Sequence, residues 1–391
     1  MIDAKDFDGK EIDTVKKFRE VEDTAIADMA ERFLKRDANL TRKQKLKWKT
    51  AELSKHREVV GRKVKEIKGA YKKDLKRTME EIIEQSWYDD METIAIIGYA
   101  LTSEQLAQSV GVQRAIDEQY NRTINELDSI LDSMEEQSVK DMANLADKAD
   151  MRSETGNGAL LDVLDAYASD GMKIAYADGR PHSVDYSVRC AVTTALNQTT
   201  SELTNQCIKE TGCEYVLVSA HVGARTQRRG YPYIDGHTNW QGKVYKITGS
   251  EPGYPNLLES TGYDIDPETG EGHVVDMLGL HGYNCRHSHT LWAKGLNNPY
   301  EDENGNPTFG AEDNTMAQVE EAMRRMESDI RKNERRANLK NVEAMFTEGE
   351  QQETRQAQYE KILDTLSKQY DAYINFCHEN KIEPRFESEE K

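Results

Sequence analysis

The sequence predicts a mainly α-helical chain with a small α+β domain between two helical regions, and three observations predict it. All eight prolines lie at or beyond Pro181, seven of them between Pro181 and Pro307. Nineteen of the 25 glycines lie between Gly156 and Gly310. Outside that stretch apolar residues recur every three or four positions, the period of one face of an α-helix. Turn-rich structure is therefore confined to the middle. The chain reads as a helical region at 1–150, a loop-rich α+β domain at 151–310 and C-terminal helices at 311–391. Its 391 residues suit two or three domains. With 37% hydrophobic and 31% charged residues it is poor in apolar surface for one globule, but suits long helices that each bury one stripe.

In the first region Val64, Ile67, Tyr71, Leu75, Met79 and Ile82 form one stripe, and Ile116, Tyr120, Ile124, Leu127, Leu131 and Met134 a second. A Thr-Ser-Glu-Gln run at 102–105 resembles a helix start after the apolar 94–101 stretch. Ser187 to Cys207 reads as a helix that Thr211-Gly212 ends. Tyr215-Val-Leu-Val218 is a short β-branched run fit for a buried strand. Trp240 to Thr248 is a second strand candidate, with Trp240, Val244 and Ile247 as core contributors. The Gly, Pro, Asp and Tyr content between these strands, and again over 249–272, predicts long structured loops, where a site would be sought. From about Glu312 the helical step returns in Met316, Val319, Met323, Met326 and Ile330. After a spacer at 348–353, Tyr359, Ile362, Leu366, Tyr370 and Tyr373 form the last stripe.

The formal charge of −19 gives a mean field that repels phosphate. Charge is segregated, however. From Arg42 to Arg77 fifteen Lys/Arg stand against four acids, a local +11, so the remainder carries −30. Lys63, Lys65, Lys68, Lys72, Lys73, Lys76 and Arg77 are candidates for contact with an acidic partner or phosphate. Arg324, Arg331 and Arg335 step by seven and four and are candidates for a second basic face. A solvated helix face is the alternative reading of both, although the +11 bias of the first is larger than such a face needs. No run approaches the roughly 18 apolar residues of a membrane span, and the acidic MIDAKDFDGKEID start does not read as a secretory signal. Five sparse cysteines (Cys190, Cys207, Cys213, Cys285 and Cys377) fit synthesis in a reducing cytoplasm rather than a disulfide framework.

Seven of the nine histidines fall between His182 and His289, densest over His281-Gly-Tyr-Asn-Cys-Arg-His-Ser-His289. Thiolate and imidazole are zinc ligands, and Cys285, His287, His221 and His237 would make a four-ligand set. The C-x-H spacing is not a standard metal pair and no CxxC accompanies it, so the expectation is hydrogen-bonded histidines in a domain that folds without metal. A Cys/His nucleophile has its ingredients in Cys285 with His281 or His287, but such pairs are set in space, and a buried inert thiol is the plainer reading. No G-x-S-x-G, P-loop or G-x-G-x-x-G is present.

Three blocks carry a resemblance: Ser219-Ala-His-Val-Gly-Ala-Arg225, His237-Thr-Asn-Trp-Gln-Gly-Lys243-Val-Tyr245 and Gly279-Leu-His-Gly-Tyr-Asn-Cys-Arg-His287. In this order and at long spacing they resemble the second minor capsid protein family of tailed bacteriophages, related in role to Mu F-like head proteins. The stretch Arg189 to Gln206, with Thr194 and Asn197-Gln198, and the arginine-bearing helix after the last block are similar too. The match is closest over about 185–340, and Thr226 to Gly236 departs from it by lengthening the first gap. The resemblance implies a low-copy virion protein inside the capsid near the portal vertex, assembled in the host cytoplasm. It implies the portal and/or major capsid protein as partners, packaged double-stranded DNA as a further one, and a role in head assembly, DNA packaging or ejection. It implies no established catalytic activity, and no cofactor or metal is expected. His221, Gly223, Arg225, His237, Trp240, Gln241, Gly242, Lys243, Gly282, Asn284, Cys285, Arg286 and His287 would then be a folding signature. Trp240 fills the core, Gly242 and Gly282 permit tight backbone passages, and the arginines and histidines tie the loops. The alternative is a virion-carried metal- or thiol-dependent enzyme, a nuclease or toxin-like transferase, using the same His/Cys cluster. The scattered acids Asp235, Asp264, Asp266 and Asp276 do not favour it.

Overall fold

A computed structural model describes residues 4–7, 9–37, 39–96, 98, 109–151, 158–175, 180–225, 236–308 and 314–385. The chain is 68% helical with a few short strands, as the sequence predicts. In order the elements are α1 (Ala4–Phe7), α2 (Ile12–Leu34), α3 (Arg42–Ile96), α4 (Val110–Met151), α5 (Gly158–Asp170), β1 (Lys173–Ala175), β2 (Pro181–Ser183), α6 (Val184–Thr211) and β3 (Tyr215–Val218). There follow α7 (His237–Trp240), β4 (Val244–Lys246), α8 (Leu257–Thr261), β5 (Tyr263–Asp266), β6 (Glu271–Val274), β7 (His289–Trp292), α9 (Asn314–Met345) and α10 (Glu350–Asn380). No described helix is long and apolar enough to cross a membrane. The predicted helix start at 102–105 and most of the lengthened gap, residues 226–235 with Asp235, lie outside the described residues.

The chain packs as two compact units, each made of three stretches. One comprises Met1–Glu11, Lys72–Leu127 and Arg189–Glu320, the other Ile12–Tyr71, Asp128–Val188 and Glu321–Lys391. The composition zones at 1–150, 151–310 and 311–391 divide the chain by sequence character, and the packing units follow a different partition.

In the first unit β3 is the centre of a three-stranded antiparallel sheet ordered β4-β3-β7, with Val216 opposite Tyr245 on one side and Leu291 on the other. All four residues of β3 are buried because both faces of the sheet are covered. Val216, Val218, Tyr245 and Leu291 join Leu203, Cys207 and Ile208 of α6 in one core, while Tyr215, Leu217, Val244 and Trp292 pack with Tyr254 and Tyr300 on the other side. Gly212, in the left-handed region at φ +64°, ends α6 where Thr211-Gly212 predicts.

Two expectations need correction here. The strand predicted over Trp240 to Thr248 is only Val244–Lys246. Trp240 instead closes the helical turn α7, and Gly242, at φ +70°, turns the chain into β4. Trp240, Val244 and Ile247 are all buried as expected, although Val244 belongs to the opposite face of the sheet. The stretch 249–272, read as loop, holds α8 and the β5–β6 hairpin. Asn256 caps α8 by accepting from the Glu259 N–H, and a left-handed Gly262 ends it.

The second unit is helical apart from the β1–β2 pair. Phe18, Val21, Ile26, Met29 and Phe33 of α2 are buried, and so are Val64, Ile67 and Tyr71 of the predicted α3 stripe and Leu131 and Met134 of the α4 stripe. The Phe18 and Tyr71 rings meet edge to face with centroids 5.6 Å apart. Met323, Ile330 and Ala337 of α9 form one cluster with Leu366, Tyr373 and Cys377 of α10, the pairing that the two C-terminal stripes predict.

Candidate functional site

The three signature blocks converge in the first unit around the loop 276–288. Its path is set by backbone that only particular residues tolerate. A Cβ on Gly279 would stand 2.2 Å from the Thr261 carbonyl oxygen, and one on Gly282 2.4 Å from that of Met277. His281 and Asn284 hold φ of 57° and 53°, and the Asn284 N–H donates to Thr194 Oγ1 at 3.0 Å. From α6, Asn197 Nδ2 donates to the His287 carbonyl at 2.7 Å and Gln198 Nε2 to that of His281 at 2.9 Å. Arg225 donates to the carbonyls of Leu278 (2.9 Å) and Tyr283 (3.3 Å), and Arg286 pairs with Glu320 at 3.0 Å. Lys243 donates to the Asn239 carbonyl at 2.6 Å. Gly223, at φ +76°, turns the chain after β3.

Two histidine pairs lie in this framework. His281 Nδ1 lies 2.5 Å from Asn197 Oδ1, its Nε2 2.8 Å from His289 Nδ1, and His289 Nε2 3.0 Å from Asn205 Oδ1. Burial, then the mutual charge, holds His281 well below its ordinary pKa, and burial holds His289 down at about 3. The second pair is His237 and His287. The Trp240 ring lies against both, 4.5 Å from His237 and 4.8 Å from His287, and the His221 ring is 4.2 Å from that of His287. Burial, followed by His221 and His237, keeps His287 neutral far below its usual range. Burial also pushes the Cys285 thiol up to about 11, the reverse of what activates a nucleophile. One ligand atom from each of His237, Cys285 and His287 falls within 4.8 Å of the other two, and all three residues are buried.

Glu202 of α6 stands beside this region, next to Asn205. Burial pushes its carboxyl up to about 7, against hydrogen bonds from the Gly272 backbone and Asn205. The unfolded chain ionises near the ordinary value of 4.5, so between about 4.5 and 7 unfolding releases a proton and stability falls as pH rises. Glu202→Gln, neutral throughout, is expected to flatten that slope. It should be about 3 kcal/mol more stable than the parent at pH 8 and little different at pH 4. Denaturant titrations at the two pH values check this, and parallel pH dependence in the two proteins would refute it.

The sequence profile of the family described as phage minor capsid protein 2 matches residues 2–365. The chain belongs to that family. No curated protein and no solved structure matches it. In this minor capsid protein the fold brings the three signature blocks together: His221 N–H donates to Gln241, Arg225 binds the Leu278 carbonyl, and His237 meets His287. What sequence reading missed in the cluster is the acceptor that orients His237, the Leu278 carbonyl, since backbone acceptors leave no residue signature.

The basic candidates are sorted by the fold. Lys63 pairs with Glu20 (2.5 Å) and Glu66 (3.0 Å), Lys68 with Asp132 (2.7 Å), Lys76 with Glu80 (3.8 Å), and Arg77 with Asp74 and Glu81 (3.9 Å each). Lys72 is half-buried, and Lys65 and Lys73 are exposed. Lys43, Lys47, Arg57, Arg62 and Lys65 are exposed and make no ion pair among the described residues. At about 100° per residue they fall within less than half the circumference of α3, beside the stripe of Val60, Val64, Ile67 and Tyr71. Basic residues surround the helix in sequence, and most of those left to solvent lie on one side of it; exposed Arg42, five turns before Val60, does not. Arg57, Arg62 and Lys65, with Glu58 and Glu135, line a shallow groove there.

Arg331 and Arg335 correct the expectation of a second, partner-facing arginine side. Both are buried. Arg331 binds Glu22 (2.7 Å), Asp23 (2.9 Å) and Glu334 (3.3 Å), and Arg335 donates to the Ala168 and Ser169 carbonyls at the end of α5. Arg324 alone of the three is exposed.

Proposed function

We propose that this chain is a structural virion protein, held inside the phage head near the portal vertex, where it assists head assembly, DNA packaging or ejection and catalyses no reaction. The observation that carries this reading is the inward turn of the signature residues in a minor capsid family. A substrate site needs polar groups converging on an open cleft. Here His237, Trp240, Gln241, Cys285 and His287 are buried and engage one another and the loop backbone. They build a folded platform and leave contact with the head to the surface.

The exposed basic face of α3 is the surface that suits an acidic partner. At physiological salt charges beyond about 8 Å are largely screened, so this face acts despite the overall −19. The portal is the favoured partner over DNA, because a strongly acidic chain in a DNA-filled head is better held by a protein anchor. The direct test is the position and copy number of the chain in intact particles. A few copies at one vertex support the reading, and absence from purified particles ends it.

A further inference from the structure

The protons of the His237–His287 contact are set by what the other nitrogen of each ring faces. His237 Nε2 lies 2.7 Å from the Leu278 carbonyl oxygen, which can only accept, so this nitrogen carries the ring proton. His287 Nε2 lies 3.0 Å from Gln241 Oε1. The identity of that atom as oxygen is fixed independently, because it also accepts from the His221 backbone N–H at 3.1 Å. His287 Nε2 is therefore a donor as well. In neutral rings both Nδ1 atoms are then bare lone pairs, and they face each other at 3.3 Å. The Cys285 thiol lies beside them, its Sγ 3.6 Å from His287 Nδ1. A proton shared between the rings would place an imidazolium where His287 is wholly buried.

A cation resolves the arrangement. Zinc–nitrogen bonds of about 2.0–2.1 Å and a zinc–sulfur bond of about 2.3 Å at tetrahedral angles put two nitrogens about 3.3 Å apart and nitrogen about 3.6 Å from sulfur. Those are the two separations observed. Cys285 and His287, two apart after the left-handed Asn284, bring Sγ and Nδ1 to within 3.6 Å of each other. Each ring donates its remote N–H to an oxygen, the arrangement that orients metal-bound histidine. We propose that His237 Nδ1, Cys285 Sγ and His287 Nδ1 hold a zinc ion that locks the 276–288 loop onto α7. Binding expels the thiol proton to solvent and leaves a fourth ligand position. The i, i+2 spacing of Cys285 and His287 is not a standard metal pair, and the third ligand enters from 48 residues upstream.

The test is elemental analysis of the full-length protein purified without added chelator or metal, with thermal unfolding before and after chelation. About one zinc per chain is expected, with a fall in Tm on chelation that added zinc reverses. Cobalt(II) supplied to the chelated protein should give the intense visible bands of a tetrahedral site and a near-ultraviolet thiolate-to-metal band. His237→Gln and Cys285→Ser should each lose most of the zinc, and Cys285→Ser the thiolate band. Should either variant fail to fold, cobalt titration of the parent decides alone. A metal-free protein whose Tm ignores chelator and which gives no cobalt bands overturns the proposal. So does zinc that survives in both variants.

Discussion

Replacing Arg331 by methionine is expected to cost the protein about 3–5 kcal/mol of stability, among the largest effects of any single substitution in the second unit. The guanidinium is buried between Glu22 and Asp23. Burial opposes its charge, but Asp23 and Glu22 more than offset this and keep it protonated. The acids depend on it in turn. Burial already raises Asp23 above its ordinary value, with Arg331 as the chief force pulling it back. Methionine would preserve much of the packing but leave two carboxylates with far less compensation, while Glu22 would still hold the Met172 N–H at 2.7 Å. Adding Glu22→Gln and Asp23→Asn to the methionine variant should recover most of the loss, since a buried charge cluster replaced as a whole is often near neutral. Differential scanning calorimetry of the parent, the single and the triple variant decides this. Equal stability of parent and single variant would mean that the cluster is not buried as described.

Trp240→Ala should cost about 3–5 kcal/mol in the first unit, the range for a large aromatic removed from a packed core. Trp240 is 2% exposed and packs in the core with Val216, Tyr245 and Leu291. It also lies on the His237 and His287 rings, and its carbonyl accepts from Tyr245 Oη at 2.6 Å. The indole N–H is buried without an acceptor among the described residues. Trp240→Phe should therefore lose clearly less than alanine, because it keeps the ring contact and removes an unsatisfied donor. Hydrogen exchange read separately in the two units should show the alanine loss concentrated around α6 and β3. A phenylalanine variant as damaged as the alanine one would point to a role for the N–H instead.

The helices were legible because each buries one stripe, and the stripes at Val64–Ile82 and Met323–Ile330 can be read without knowing their neighbours. The strand Tyr215–Val218 was legible for the same reason, as a run buried on both faces. Trp240 was not, because a four-residue helical turn that ends on a core tryptophan looks like the start of a strand. The basic stretches show another limit. Composition reports charge but not pairing, so Arg331, with its carboxylates 308 and 309 residues away in sequence, reads the same as exposed Arg324. The histidine cluster was legible as a list of residues only, since its chemistry depends on which ring nitrogen faces which oxygen.

The central claim is that this chain is a fixed internal part of the phage head at the portal vertex. An asymmetric reconstruction of intact particles, with the chain counted by quantitative mass spectrometry, tests it most directly. The account predicts a small, fixed number of copies at the single portal vertex, inside the shell, with the Arg57–Lys65 face of α3 against acidic protein. A chain spread evenly over all vertices, found only on the outer surface, or missing from purified particles would contradict it.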